Sequence, residues 1–280
     1  MKTWYMIIDI AKCIGCYNCV LACKDEHVDN EWPGYSLPQP RHGHYWINII
    51  RTERGQYPQV DISYLPVLCM HCDDAPCIKK GNGAVYKRKD GIVIIDPHKA
   101  KGEEELISSC PFGMIWWNKD REIAQKCTLC AHLIDEGWGK TRCVQACPTE
   151  ALQIKYLEEE EISHIVKSER LEPLHPEYHT RPHVYYKNLH LYNKHFIAGS
   201  VALKHGDNTL DCVEGAKVAL LQNGMLVGET LTDCFGDFKF DGLPREGGKY
   251  VLEIFFEGYE RKTVAVDLTT SINIGIIVLN

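Results

Sequence analysis

The chain has 280 residues, enough for two domains, and a net charge of −7 at pH 7 that argues against nucleic acid as its main partner. No apolar stretch approaches the ~18–20 residues of a membrane-crossing helix, so direct membrane insertion is not expected. Fourteen cysteines would suit a disulfide scaffold, but that class is small, secreted and led by a signal sequence, and the opening Met1 to Asp9 is too short and too soon interrupted to be one.

Residues 5–9 read as a short strand that enters a first cysteine run: Cys13, Cys16, Cys19 and Cys23. Val20 to His27 reads as a short helix. Pro33, Gly34, Pro38, Pro40 and Gly43 mark residues 33–43 as loop, and the β-branched 45–50 follow as a strand. The second run is Cys69, Cys72 and Cys77, with Cys110-Pro111 downstream. Two hairpin-like pairs come next: 84–86 with 92–95 around Lys89-Asp90-Gly91, and 114–117 with 123–125. The third run is Cys127, Cys130, Cys143 and Cys147-Pro148. Residues 1–155 are therefore expected to form an α+β, ferredoxin-like domain with little apolar core, tied together by its metal.

Residues 156–195 read as a linking arm, Glu-rich and helical over 157–172, then extended and rich in Pro, His and Tyr. Its Tyr178, Tyr185, Tyr186 and Tyr192 suggest that it lies on a protein surface. From 196 to 280 the pattern is all-β. Short alternating runs fall at 196–203, 216–221, 225–231, 237–241, 249–256, 260–267 and 273–279, with turn signals such as Asn223-Gly224 between them. Seven such runs fit a β-sandwich. Cys212 and Cys234 lack the spacing of the others and read as free thiols or small buried side chains.

The spacing of the first twelve cysteines carries the chemistry. A [4Fe–4S] cluster takes four thiolates, and a ferredoxin run lends its fourth cysteine to the neighbouring cluster. Crossing the first and third runs gives Cys13, Cys16, Cys19 with Cys147, and Cys127, Cys130, Cys143 with Cys23. Cys69, Cys72, Cys77 and Cys110 remain as a further complete set. Three clusters in one small chain suggest an electron wire. The third run alone would also suit a zinc ribbon, so a zinc-stabilised binding module is the rival class. Lys24, Lys126 and His71 sit beside ligands, where they either raise a cluster's potential or simply face water. Trp116 and Trp117 read as packing residues and His132 as a structural histidine. No catalytic set stands out, so the chain reads as non-catalytic.

On these runs the chain resembles the iron–sulfur subunits of the dimethyl sulfoxide reductase superfamily. Those subunits commonly carry four clusters. Here Gly81, Ala100, Glu103 and Leu106 stand where one cluster's four cysteines would be, while its partner cluster keeps every ligand. The resemblance narrows to the small subunits of pyrogallol–phloroglucinol transhydroxylases and resorcinol hydroxylases. It is carried by Asn30-Glu31-Trp32-Pro33-Gly34-Tyr35, Cys69-Met70-His71-Cys72, Gly81-Asn82-Gly83-Ala84-Val85-Tyr86 and Gln125-Lys126-Cys127-Thr128. Glu214-Gly215-Ala216-Lys217-Val218 and Phe235-Gly236-Asp237-Phe238-Lys239-Phe240 resemble a prealbumin-like, Cna-B-type domain. This implies a large catalytic partner carrying molybdenum or tungsten with bis-pterin guanine dinucleotide. It also implies action on hydroxylated aromatics (transhydroxylation, hydroxylation or dehydroxylation), a cytoplasmic location unless a partner carries the chain out, and higher assemblies of heterodimers. The alternative within the superfamily is a respiratory S-oxide or oxyanion reductase.

Overall fold

A computed structural model describes residues 1–206 and 209–279. They divide into two compact units, one of Met1–Arg51 and Tyr64–Leu189, the other of Thr52–Ser63 and His190–Asn280.

The first unit opens with strand β1 (Thr3–Asp9) and helix α1 (Asn18–His27). Strands β2 (Ile47–Gln56) and β3 (Gln59–Leu68) form a hairpin whose tip belongs to the second unit. Helix α2 (Pro76–Lys80) precedes two small antiparallel ribbons. These are β4 (Val85–Lys87) with β5 (Val93–Ile95), and β6 (Trp116–Asn118) with β7 (Ile123–Gln125). Two short helices, α3 (Ala131–Asp135) and α4 (Arg142–Gln145), lead to β8 (Leu152–Leu157) and helix α5 (Glu159–Ser168). Strands β9 (Glu172–Pro173) and β10 (Val184–Lys187) finish the unit.

Its main sheet has the order β8-β1-β10-β9, with β1 parallel to β10 and antiparallel to β8. In β1, Tyr5 and Ile7 face one side and Met6 and Ile8 the other, and all four are buried. Tyr5 and Ile7 meet Ile162, Ile165 and Val166 of α5, which recur at helical spacing and so lie on one face. The helix starts at a reciprocal cap, in which the Glu158 side chain accepts from the third helical N–H and Glu161 accepts from the Glu158 N–H at 2.8 Å. Residues 157–172 therefore do hold a helix, and within the extended part Val184–Lys187 is an internal strand while Tyr178 is exposed. Tyr186 is fully buried and its hydroxyl donates to the Pro66 carbonyl at 3.0 Å. Parallel pairing with β1 puts β10 inside the sheet, and alternation then turns Tyr186 inward.

From His190 on, the second unit holds helix α6 (His190–Asn193) and then a run of strands. Strands β11 (His195–Lys204), β12 (Leu210–Cys212), β15 (Asp237–Leu243) and β18 (Ile272–Leu279) make one sheet. Strands β13 (Lys217–Gln222), β14 (Met225–Leu231), β16 (Gly248–Phe255) and β17 (Lys262–Leu268) make the other, in the order β14-β13-β16-β17. One apolar core joins them, with Ile197, Val201, Phe238 and Ile277 from the first sheet and Val218, Leu220, Leu252 and Val266 from the second. Each expected run is a strand, and β12 is an addition. Cys212 and Cys234 are exposed free thiols, which removes the buried alternative for both.

Candidate metal centres

Each cysteine loop turns on residues with left-handed backbone. Gly15 (φ +66°) and Tyr17 (φ 61°) precede α1, His71 (φ 46°) lies in the second loop, and Leu129 (φ 53°) and Cys130 (φ 48°) open α3. Gly15 has no alternative, because an added Cβ would lie 2.5 Å from the Tyr64 ring. Such turns aim backbone N–H groups at sulfur. Leu129 N–H donates to Cys127 Sγ at 3.3 Å and Met114 N–H to Cys110 Sγ at 3.5 Å.

Cys69, Cys72, Cys77 and Cys110 line one small hollow, together with His71, Val93 and Lys126. Cys23, Cys127, Cys130 and Cys143 line a second, beside His27, Thr141 and Arg142. The Thr141 hydroxyl lies 3.1 Å from Cys143 Sγ. Of Cys13, Cys16, Cys19 and Cys147, Cys19 is buried, Cys13 and Cys147 are half-buried and Cys16 is exposed. Burial raises the Cys13 thiol, and Cys147 and Cys16 push it the same way. Lys126 lines the first hollow and Cys127 the second, so those two adjoin along the chain. Helix α1 makes the crossing. Cys19 and Cys23 are one turn apart on it, and α1 packs against α4, which carries Cys143.

Burial is the main influence on these thiols. It pushes Cys19, Cys72 and Cys127 up to about 12 and Cys77 up to about 11, and neighbouring thiols push the same way. Burial also acts on Cys147, but backbone N–H groups of Leu152, Thr149 and Ala151 outweigh it and lower that thiol. Grouped, buried thiols of this kind become thiolates when a cationic metal group binds. Among the described residues no three His, Cys, Asp or Glu side chains converge as a single ion requires. Four sulfurs around a hollow fit a cluster with several irons, so the donor sets suit [4Fe–4S] groups.

The neighbours of the loops are more buried than residue type suggests. Lys126 is 3% exposed and His71 2%, so neither faces water. Lys24 spends its ammonium on the Pro40 and Gly43 carbonyls, at 2.8 and 2.5 Å. His132 is held by Glu26 at 2.9 Å and stacks on Trp32 with centroids 4.0 Å apart, which is a structural role. Trp116 and Trp117 are half-buried, and Trp116 stacks on His44. The Glu26–Arg142 pair (2.9 Å) had no signal in the sequence, since its members lie far apart along the chain.

Residues 60–157 match the model of a 4Fe-4S dicluster domain. The small subunit of pyrogallol hydroxytransferase from Pelobacter acidigallici is 46% identical over the whole of both chains. The chain belongs to this family. The family sits among the iron–sulfur, electron-transfer subunits of molybdopterin oxidoreductases, the dimethyl sulfoxide reductase superfamily. The arsenate respiratory reductase iron–sulfur subunit of Shewanella sp. (strain ANA-3) is 31% identical, covering 65% of this chain and 94% of that one. The thiosulfate reductase electron transfer subunit of Salmonella typhi is 33% identical, covering 57% and 79%. The match to the pyrogallol family member thus runs through the second, all-β unit to the end of the chain. Among the described residues no helix is long and apolar enough to cross a membrane.

Proposed function

We propose that this subunit carries three [4Fe–4S] clusters, on Cys13, Cys16, Cys19 and Cys147; on Cys23, Cys127, Cys130 and Cys143; and on Cys69, Cys72, Cys77 and Cys110. Its partner is a large subunit holding molybdenum or tungsten with bis-pterin guanine dinucleotide. That partner transfers, adds or removes a hydroxyl on a polyhydroxylated aromatic ring. The observation that carries the reading is the partition of the twelve cysteines: two of the three sets each line a hollow of their own. Bound clusters supply one-electron oxidation and reduction; substrate chemistry belongs to the partner's cofactor.

The chain's own residues do the holding and the insulating. Left-handed loop residues fix the sulfurs, N–H groups meet them, and buried side chains such as Leu68, Ile47 and Ile115 exclude water around the two enclosed sets. The first set is the one near solvent. Exposed Ile14, Tyr17 and Leu21 surround it and form the face that meets the catalytic subunit. The first unit is the redox module in a ferredoxin-like arrangement. The second unit is a prealbumin-like, Cna-B-type sandwich. The working compartment is the cytoplasm, where the exposed Cys212 and Cys234 stay reduced.

Full-length agreement with the pyrogallol-acting relative favours phenolic substrates over the oxyanions of the shorter relatives. The complex purified without oxygen should be brown, with about twelve iron and twelve labile sulfide per small subunit. It should contain molybdenum or tungsten and turn over polyhydroxylated phenols. A colourless preparation containing zinc would overturn the cluster assignment. Activity with arsenate or thiosulfate, and none with phenols, would overturn the substrate class.

A further inference from the structure

Lys126 is a cation with almost no access to water. Its side chain lines the hollow of Cys69, Cys72, Cys77 and Cys110, while its backbone adjoins Cys127, which lines the next hollow. Two acceptors hold the ammonium: the Val93 carbonyl, in a short contact, and the Cys127 carbonyl at 3.0 Å. Among the described residues no carboxylate lines that hollow. The charge is felt by Cys77, Cys110 and Cys127, thiols of both sets.

Val93 holds a second group as well. Its N–H donates to His71 Nδ1 at 3.0 Å. An imidazole that accepts at Nδ1 carries its proton on Nε2. That Nε2 has no partner among the described residues, and His71 lines the same hollow. One residue of β5 therefore presents a fixed ammonium and a fixed N–H donor to one set of four cysteines. A buried cation without a carboxylate is costly unless it faces negative charge. A cluster held by four thiolates supplies that charge, and more of it when reduced.

We propose that Lys126 is a positioning residue for charge: it sets the reduction potential of the cluster on Cys69, Cys72, Cys77 and Cys110 and, more weakly, that of the cluster on Cys23, Cys127, Cys130 and Cys143. The proposal rests on the three-cluster reading. A nearby positive charge favours the reduced form, so electrons settle toward the Lys126 end of the chain and away from the exposed first set.

The test is a redox titration of the intact complex followed by electron paramagnetic resonance, in wild type, Lys126→Gln, Lys126→Met and Lys126→Arg. The wild type must first show about twelve iron per chain; a lower count defeats the three-cluster reading rather than this inference. With the count met, both neutral variants should lower two of the three potentials. The larger shift should change the reduced-to-oxidised ratio at least tenfold at a fixed potential, which is ~59 mV for one electron. The third signal should stay in place and Lys126→Arg should resemble wild type. Unchanged potentials in the neutral variants, or equal shifts of all three signals, would overturn the proposal. Should the neutral variants lose iron, loss confined to the two enclosed sets supports it, and loss from all three overturns it.

Discussion

Arg54 shows how one residue ties a strand tip into the second unit. Its side chain is 4% exposed. The guanidinium meets both oxygens of Asp241, at 2.9 and 3.0 Å, and Asp61 at 3.0 Å; it also donates to the carbonyls of His190 and Lys194. Burial by itself raises the Asp241 carboxyl, but hydrogen bonds from Arg54 and the Gly242 N–H outweigh it and hold the group below its usual 3.8. A folded-state value below the unfolded one means stability that is present above the unfolded value and lost as pH falls through the folded one. The second unit should therefore loosen progressively below about pH 4. Asp241→Asn should destabilise it at pH 7 by about 2 kcal/mol, less than the ~3–5 of a fully buried pair because Asp61 remains. Segment-resolved hydrogen exchange on β13 and β16 checks both points. Unaltered protection in the variant, or a pH dependence that survives it, would exclude this carboxylate as the cause.

At the scale of elements, the ribbon and turn between Cys77 and Cys110 bear on the proposal that one cluster of the superfamily is missing here. The superfamily resemblance places four further cysteines at Gly81, Ala100, Glu103 and Leu106. Ala100 and Leu106 are buried, and a Cβ added at Gly81 would lie 2.6 Å from Val85 Cγ2 and 2.9 Å from the Cys77 carbonyl. Glu103 is exposed, and the side chains buried in α2, β4 and the turn Glu104–Ser109 are Cys77, Val85 and Leu106. A core this close-packed does not reopen for a group the size of a cubane without loss of its own contacts. Replacing all four residues by cysteine should therefore leave the iron content unchanged. A rise of about four iron per chain would show that the site is only waiting for ligands.

At the scale of the molecule, the second unit is discontinuous in sequence, because Thr52–Ser63 belongs to it along with His190–Asn280. Gly55 shows how closely the tip is held: a Cβ there would lie 2.5 Å from both the Gln59 carbonyl and the Phe196 ring. A chain ending at Leu189 loses every partner that Arg54 finds in the sandwich. Trypsin should then cut after Arg54 in the truncated protein and spare that bond in the full chain. Equal resistance in the two would mean that the hairpin holds its own tip.

Some of this was open to a reader of residues alone. Cysteine spacing is a local, covalent matter, so the two sets that line hollows could be drawn up from counting, and the alternation of 249–256 or 225–231 marked strands because pleating has a period of two. The small ribbons beside the second run were legible for the same reason. Other features depend on which distant segments meet. Pairing with β1 turned residues 184–187 from an arm into an internal strand and buried Tyr186. Strand β3 is masked in the sequence by Gln59, Asp61 and Ser63 among its apolar residues and by Pro66. The sequence could place Lys126 and His71 next to ligands, yet only the position of Val93, some thirty residues away from Lys126, closed them off from water. Periodicity and spacing are written into neighbours along the chain, whereas burial is conferred by whatever the fold brings from elsewhere.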